Sequence, residues 1–396
     1  MGELNQMLSK ARLFFLLLFS LQFQPILGQK YEIGGYIKYL FSSTSISGID
    51  KNLIDHTLHS RVNFKYYLND DITYSLGLRD LIIYGKSPET IPDYEQNFGN
   101  KTSLLKWEGF LWKKKKSINY LECDRMWLDF HLHDLQISVG KQRIAWGTSL
   151  VWNITDLFNP LSILDFDYEE RSAVDAVRIQ YYTSELSKFD LAFKPAKEKK
   201  NSTVAVQYTG NVHEYDFSIL SGFHKNRFLA GTNWAGDIHG AGFRGELLLM
   251  QSPASSNIDT LNLFAKENRL QFSAVLSVDY TFSNSLYIHS EILFNDIGKT
   301  EQIGLYIYSA SEIGLLSPSK LELFYHIGYD VTPLLRGDIM MLQNPYDGSC
   351  ALLPMFSYSL KENLDLSLIA LCLYGKDLSE YGPERQMGFV RLKYSF

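Results

Sequence analysis

The side chains best placed to do chemistry in this sequence are cations. Arg61, Lys65, Arg79, Arg125 and Arg178 fall on the polar phase of stretches in which polar and apolar residues alternate. Lys141 and Arg143 stand in "GKQRIAWGTSLVWNITDLFNP", residues 140–160. Just downstream, "TDLFNPLSILDFDYEER" carries the carboxylates Asp156, Asp165, Asp167, Glu169 and Glu170. Opposed rows of fixed charge across a narrow passage with low-dielectric walls create a transverse field that orients charged or polar solutes. Bond-making chemistry has less behind it. Asp129 and His131 share one strand face, yet no nucleophile is specified beside them, so no enzyme is expected. Cys123, Cys350 and Cys372 are far apart and offer neither a disulfide framework nor metal-ligand spacing, so no cofactor or metal is expected.

The elements that must hold these charges are strands. In residues 57–82, Leu58, Val62, Phe64, Tyr66 and Leu68 alternate with His59, Arg61, Asn63 and Lys65 up to a turn at Asn69-Asp70-Asp71. Ile72, Tyr74, Leu76 and Leu78 then alternate with Thr73, Ser75, Gly77 and Arg79, which completes an antiparallel hairpin with one apolar and one polar face. "LQFSAVLSVDYTFSNSLYIHSEILF" and "MFSYSLKENLDLSLIALCLY" repeat the unit. About eighteen such strands follow one another, or sixteen if two brief connections are discounted, each about 9 to 14 residues long, which suits tilted bilayer-crossing strands.

Connections of two kinds alternate along the chain. Short ones fall near 69–71, 133–134, 183–186, 210–212, 236–238, 283–285, 331–332 and 361–363. Mostly longer ones fall near 43–53, 85–118, 148–171, 195–201, 224–226, 251–267, 297–318, 343–348 and 376–384. An even-numbered barrel with both termini on one side requires that alternation, its short turns periplasmic. Only closure satisfies every backbone group of such strands in lipid. The fold expected is an all-β transmembrane antiparallel barrel over residues 29–396, its last strand "MGFVRLKYSF" ending on an aromatic residue.

Residues 1–28 read as a secretory signal peptide. Lys10 and Arg12 precede the apolar run Leu13 to Phe23, too short to span a membrane, and Gly28 stands at a plausible cleavage point. Aromatic residues make up 14% of the chain, with 25 Tyr and 25 Phe, a supply that suits strand faces and interfacial belts. A net charge of −6 argues against nucleic acid as a partner.

One stretch breaks the alternation. Before Gly140 the apolar residues are Leu135, Ile137 and Val139; after it they are Ile144 and Trp146. Unbroken alternation would aim Lys141 and Arg143 at lipid, at about 2 to 4 kcal/mol each near the midplane. A one-residue bulge at or beside Gly140 would swap the phase, turning both cations inward and putting Ile144 and Trp146 at the outer interface; otherwise both cations snorkel at the rim. The segment that follows is too apolar, with Leu157, Phe158, Leu161, Ile163, Leu164 and Phe166, to hang free in water. It is expected to fold into the barrel mouth, its carboxylates facing the basic wall.

"GKQRIAWG" followed by "DLFNP", then "EERSAVDAVRIQYY", "GDIHGAGFRGE", "VDYTFSNSLYIHSEILF", "TPLL" and "NPYDGS" resembles a family of porin-like outer-membrane barrels, distantly similar to alginate-export barrels. On that resemblance Gln142, Arg143, Trp146, Gly147, Asn159 and Pro160 belong to the family signature, and Lys141 stands where arginine is frequent. The resemblance implies a pore of about eighteen strands in the outer membrane of a Gram-negative bacterium.

The leading expectation is a channel for small hydrophilic, anionic solutes in contact with outer-membrane lipid and lipopolysaccharide. An export or capsule-assembly barrel for an acidic polysaccharide is the first alternative; a structural or docking barrel using the loop at residues 84–116 is the second. The sequence leaves the solute and the oligomeric state open.

Overall fold

The computed structural model describes residues 30–46, 52–99, 103–159, 173–252 and 270–396. The expected signal peptide, residues 1–28, lies outside them. The described residues form a single antiparallel sheet of 19 strands. The first run is β1 (Tyr31–Ile46), β2 (Leu53–Tyr67), β3 (Ile72–Gly85), β4 (Glu108–Lys114), β5 (Ser117–Leu132) and β6 (Leu135–Gln142). It continues with β7 (Val174–Ser184), β8 (Ser187–Lys194), β9 (Thr203–Val212), β10 (Tyr215–His224), β11 (Arg227–Ile238) and β12 (Ala241–Gln251). The last strands are β13 (Leu270–Thr281), β14 (Leu286–Asn295), β15 (Leu321–Thr332), β16 (Leu335–Gln343), β17 (Cys350–Lys361), β18 (Leu364–Tyr374) and β19 (Arg385–Ser395).

β1 pairs with both β2 and β19, from Tyr36 opposite Ser395 to Ile46 opposite Arg385, so the sheet closes on itself. Eighteen strands make the wall of this transmembrane barrel. β4 is additional. β6 follows β5 only from Leu132 to Met126, and β4 takes over the edge of β5 above that, from Glu122 to Ser117. The hairpin of β4 and β5 was hidden within the long connection expected at 85–118, since Phe110, Leu111 and Trp112 are consecutive apolar residues with no period. A bulge at Leu111 absorbs the misfit.

Three turns sit two or three residues beyond their expected places. His213 and Glu214 both have positive φ (52° and 67°), as do His239 and Gly240 (54° and 88°). That is the mirror-image turn whose twist matches paired strands. His-Glu carries no Asn-Gly signal, so the sequence conceals it.

Along each strand the period of two sorts the side chains. Val139, Val177, Leu191, Val206, Ile219, Leu276, Ile292, Ile339, Leu368 and Val390 are exposed on the outside. Tyr66, Tyr181, Tyr280, Tyr329, Tyr358, Tyr394 and Phe396 ring the end that carries the short turns, where amphipathic rings suit the bilayer interface. Leu58, Val62 and Phe64 alternate with His59 and Arg61, which are buried on the opposite face. Leu276→Arg, in the middle of β13, is expected to cost about 2 to 4 kcal/mol. Unfolding in urea from lipid vesicles would measure it, against Ser277→Ala on the inner face as control.

Candidate functional site

The candidate site is the barrel interior, and the chain itself occupies it. β6 ends at Gln142, and residues 143–159 turn inward instead of rising into solvent. Ile144, Trp146, Val151, Trp152, Ile154, Leu157 and Phe158 are buried. They pack against inward-facing residues from around the wall, among them Ala192, Leu220, Leu248, Val275, Leu293 and Phe324. Trp146 stands edge-on to Phe158 with centroids 5.1 Å apart, and Trp152 edge-on to Phe324 at 6.4 Å. An apolar loop stays inside because the facing wall is apolar too.

Two wall carboxylates hold the loop by its backbone. Glu246 on β12 and Glu291 on β14 are completely buried. Glu246 accepts the N–H groups of Thr148 (2.7 Å), Ser149 (2.9 Å) and Thr155 (2.8 Å), together with the Thr155 hydroxyl (2.9 Å). Glu291 accepts those of Leu150 (3.2 Å), Val151 (3.3 Å) and Trp152 (2.6 Å). Backbone donors of a loop with no ladder of its own need acceptors, and a buried carboxylate needs several donors; each meets the other's requirement.

Smaller contacts complete the anchorage. Asn233 donates to the Trp146 carbonyl at 2.9 Å and to the Thr155 hydroxyl at 3.0 Å. Asp190 accepts Trp146 Nε1 at 3.1 Å and also the Arg178 guanidinium. Within the loop, Asp156 accepts the Trp146 N–H and Asn159 the Ile144 N–H, both at 3.0 Å.

The cations expected to form a basic wall are placed as follows. Arg61 is fully buried against Asp124 at 2.7 Å, Arg79 is 3.5 Å from Glu122, and Arg178 is held by Asp190. Lys65 reaches Glu32 at 3.9 Å near the end that carries the short turns, exposed on both sides. Arg125 is half-buried, in register with Gly77. Among the described residues, the carboxylates paired with Arg61, Arg79 and Arg178 come from the wall. Asp156 bonds within its own loop, and Asp165, Asp167, Glu169, Glu170 and Pro160 lie outside the described residues.

The bulge expected at Gly140 is corrected. The ladders of β6 with β5 and with β7 run through Gly140 without slipping, although its φ is +132°. The irregularity lies on β5, where Asp124 is extra between Gly77 and Leu78 of β3. Ile144 and Trp146 are buried in the lumen, not set at the outer interface, because the chain has left the wall by then. Arg143 is exposed.

Lys141 is in register with Asp175, whose neighbours Val174 and Ala176 pack in the lumen core; alternation therefore assigns the pair to the outer face. Lys141 is nonetheless only 3% exposed, its ammonium 3.4 Å from the Cys123 carbonyl. Asp175 is covered by residues 103–105: the Ser103 hydroxyl and the Leu104 and Leu105 N–H groups all bond it, at 2.7, 2.7 and 3.0 Å. The cost of outward charge is met by laying polypeptide over it.

Cavities lie on both sides of the loop. The outer one, about 920 Å³, is floored by Trp152, Asn153 and Phe158 and lined higher up by Lys194, Lys225 and Tyr381. Burial, with Glu322 and Glu380 close by, holds the Tyr381 phenol well above its ordinary pKa, and it donates to Glu322 at 2.9 Å. The inner one, about 380 Å³, opens by the short turn at Pro333 and Leu334 and is lined by Arg336, Arg391 and Lys393 with Asp330, Asp365, Ser357 and Ser367. Asp129 is engaged by Trp127 Nε1 at 2.6 Å and the Ser138 hydroxyl at 2.5 Å, so it serves the wall. Among the described residues no cluster of three or more His, Cys, Asp or Glu could hold a metal ion.

No protein-family model matches the chain, and no curated protein matches it in sequence. Solved structures do match in shape. OprD of Pseudomonas aeruginosa superposes with a TM-score of 0.59 at 6% identity, covering 92% of this chain and 95% of its own. OccAB4 of Acinetobacter baumannii gives 0.57 at 10%, covering 94% and 100%. OpdK of Pseudomonas aeruginosa, solved with vanillate, gives 0.55 at 7%, covering 92% and 98%. Nothing in these comparisons supports the likeness to alginate-export barrels. The likeness is one of architecture: a closed 18-strand antiparallel barrel similar to the OprD and Occ porins.

Proposed function

We propose that this chain is a porin-like channel of a Gram-negative outer membrane, passing small hydrophilic solutes and favouring anions, with residues 143–159 as its constriction. The observation that carries this reading is the closed barrel whose bore, wide enough at this strand number for solvent and solute, is narrowed by a segment of the same chain. Barrels that fill the bore with their own loop set solute size by that loop and solute charge by the wall around it.

The anion preference draws on the inner cavity. Arg391, Ser367, Ser357 and Arg336 stand in one row across β19, β18, β17 and β16, with Arg336 already held by Asp330 and Asp338, and Lys38, Lys393 and Asp365 form the next row across β1, β19 and β18, so the preference rests on Arg391 and Lys393. Hydroxyls interleaved with cations suit the coordination of carboxylate or sulfate oxygens. Export of an acidic polysaccharide fits less well, because Glu246, Glu291 and Glu322 and the apolar contacts of the loop interrupt the basic lining midway.

Reversal potentials in planar bilayers under a KCl gradient test the preference. The wild type is expected to pass chloride over potassium. Arg391→Glu with Lys393→Glu is expected to reverse the sign, and an unchanged potential would remove the anion reading.

A further inference from the structure

We propose that the outer flank of the β4–β5 hairpin is a docking surface for a phosphorylated glycolipid of the outer leaflet, that is, lipopolysaccharide. The inference rests on the outer-membrane placement above and is separate from solute passage. The surface has two levels. At the lower one Leu105, Trp107, Leu111 and Leu121 are exposed, Trp107 at 54% and Leu111 at 67%. Trp107 is fixed at the height of Cys123, whose N–H bonds its carbonyl at 2.7 Å. At a rise of about 3.3 Å per residue and a tilt near 40°, Leu121 stands roughly 28 Å above Leu132 at the periplasmic end of β5. The apolar band of such barrels is about 25 Å tall, so this level stands at its upper edge.

The upper level is cationic. Lys113, Lys114, Lys115 and Lys116 form the tip of the hairpin, roughly 10 Å further out on the same reckoning. Lys106 is exposed below them. Among the described residues, acidic groups also stand beside them. Glu89 bonds Lys115 at 3.0 Å and Lys116 at 3.4 Å, and these ammonium groups hold its carboxyl below the usual range. Glu108 accepts the Tyr120 hydroxyl. Lys113 lies over the Phe110 ring at 4.6 Å. Acyl-compatible side chains below and several ammonium groups above match an amphiphile whose negative charge is carried on a tall head. A short-headed phospholipid would leave the lysines above its phosphate. A second copy of this chain in a two-fold contact would bring lysine against lysine.

The test uses the full barrel purified in mild detergent and incubated with lipid A vesicles, phosphatidylglycerol vesicles or neutral phosphatidylcholine vesicles, with phosphate retained after gel filtration as the readout. The wild type is expected to keep lipid A, to keep severalfold less phosphatidylglycerol, and to release lipid A as salt rises. Lys113→Ala, Lys114→Ala, Lys115→Ala and Lys116→Ala together are expected to lower retention severalfold, as is Trp107→Ala with Leu111→Ala. Equal retention by the variants, equal retention of phosphatidylglycerol, or lipid-independent cross-linking of two copies through this face would overturn the proposal. Heat-modifiable gel mobility checks the fold of each variant, and the salt dependence is read on the wild type alone. Channel conductance is expected to be unchanged in the lysine variant, so loss of lipid binding and failure of the channel reading are separable.

Discussion

Replacing both Glu246 and Glu291 by alanine is expected to raise single-channel conductance severalfold and to make the current noisy, while the barrel still forms. Between them the two carboxylates accept six backbone N–H groups and one hydroxyl from residues 148–155. Hydrogen bonds to a charged acceptor contribute about 1.5 to 3 kcal/mol each in favourable cases, and they are not additive. If the pair together holds the loop by only about 3 kcal/mol, its loss moves the docked-to-released ratio roughly 100-fold. The freed donors lose their acceptors at the same time, which gives the loop reason to leave. Glu246→Gln alone is expected to act partially, since its amide oxygen still accepts while its amide nitrogen opposes the loop's N–H groups. Conductance of the double variant equal to wild type would show that the latch does not hold the constriction.

The second large effect concerns stability. Arg61 and Asp124 are both essentially without solvent contact, 2.7 Å apart, on strands that close the early part of the barrel. Asp124 is also the bulged residue of β5, so the irregularity in the ladder places this carboxylate. Asp124→Ala leaves a buried guanidinium short of its counter-charge, which costs about 3 to 5 kcal/mol. The temperature at which the barrel loses its compact mobility in detergent gels is expected to fall markedly. Arg61→Met with Asp124→Leu is expected to recover most of that loss, because the desolvation penalty goes with the pair. A single variant as stable as the wild type would mean that the pair is not an energetic unit.

Much of the wall was legible in residues such as Leu58 to Lys65, where a period of two can be satisfied only by a sheet with unlike faces. The early inner set, His59, Arg61 and Arg79, followed from the same count. The inserted loop was legible in part, since Leu157 and Phe158 in a connection between strands are too apolar for solvent. Its latch was not. Glu246 and Glu291 look like any lumen carboxylate when strands are read singly. A signal does exist beside them: Leu248 and Met250 share the inner face with Glu246, and Leu293 shares it with Glu291. A pore-lining face that turns apolar midway has polypeptide, not water, against it.

Gly140 teaches a different point. Phase along one strand cannot reveal a cover supplied by residues 103–105, which reach Asp175 from some 70 positions away in sequence. Alternation identifies which face a charge occupies; whether that face meets lipid depends on the loops.

The most direct measurement of the whole account is the single-channel current through the wild-type barrel compared with a chain in which residues 148–171 are excised and replaced by a short Gly-Ser linker. A small, steady conductance is expected for the first and a much larger one for the second. Silence in both, with the barrel shown to be folded, would contradict it.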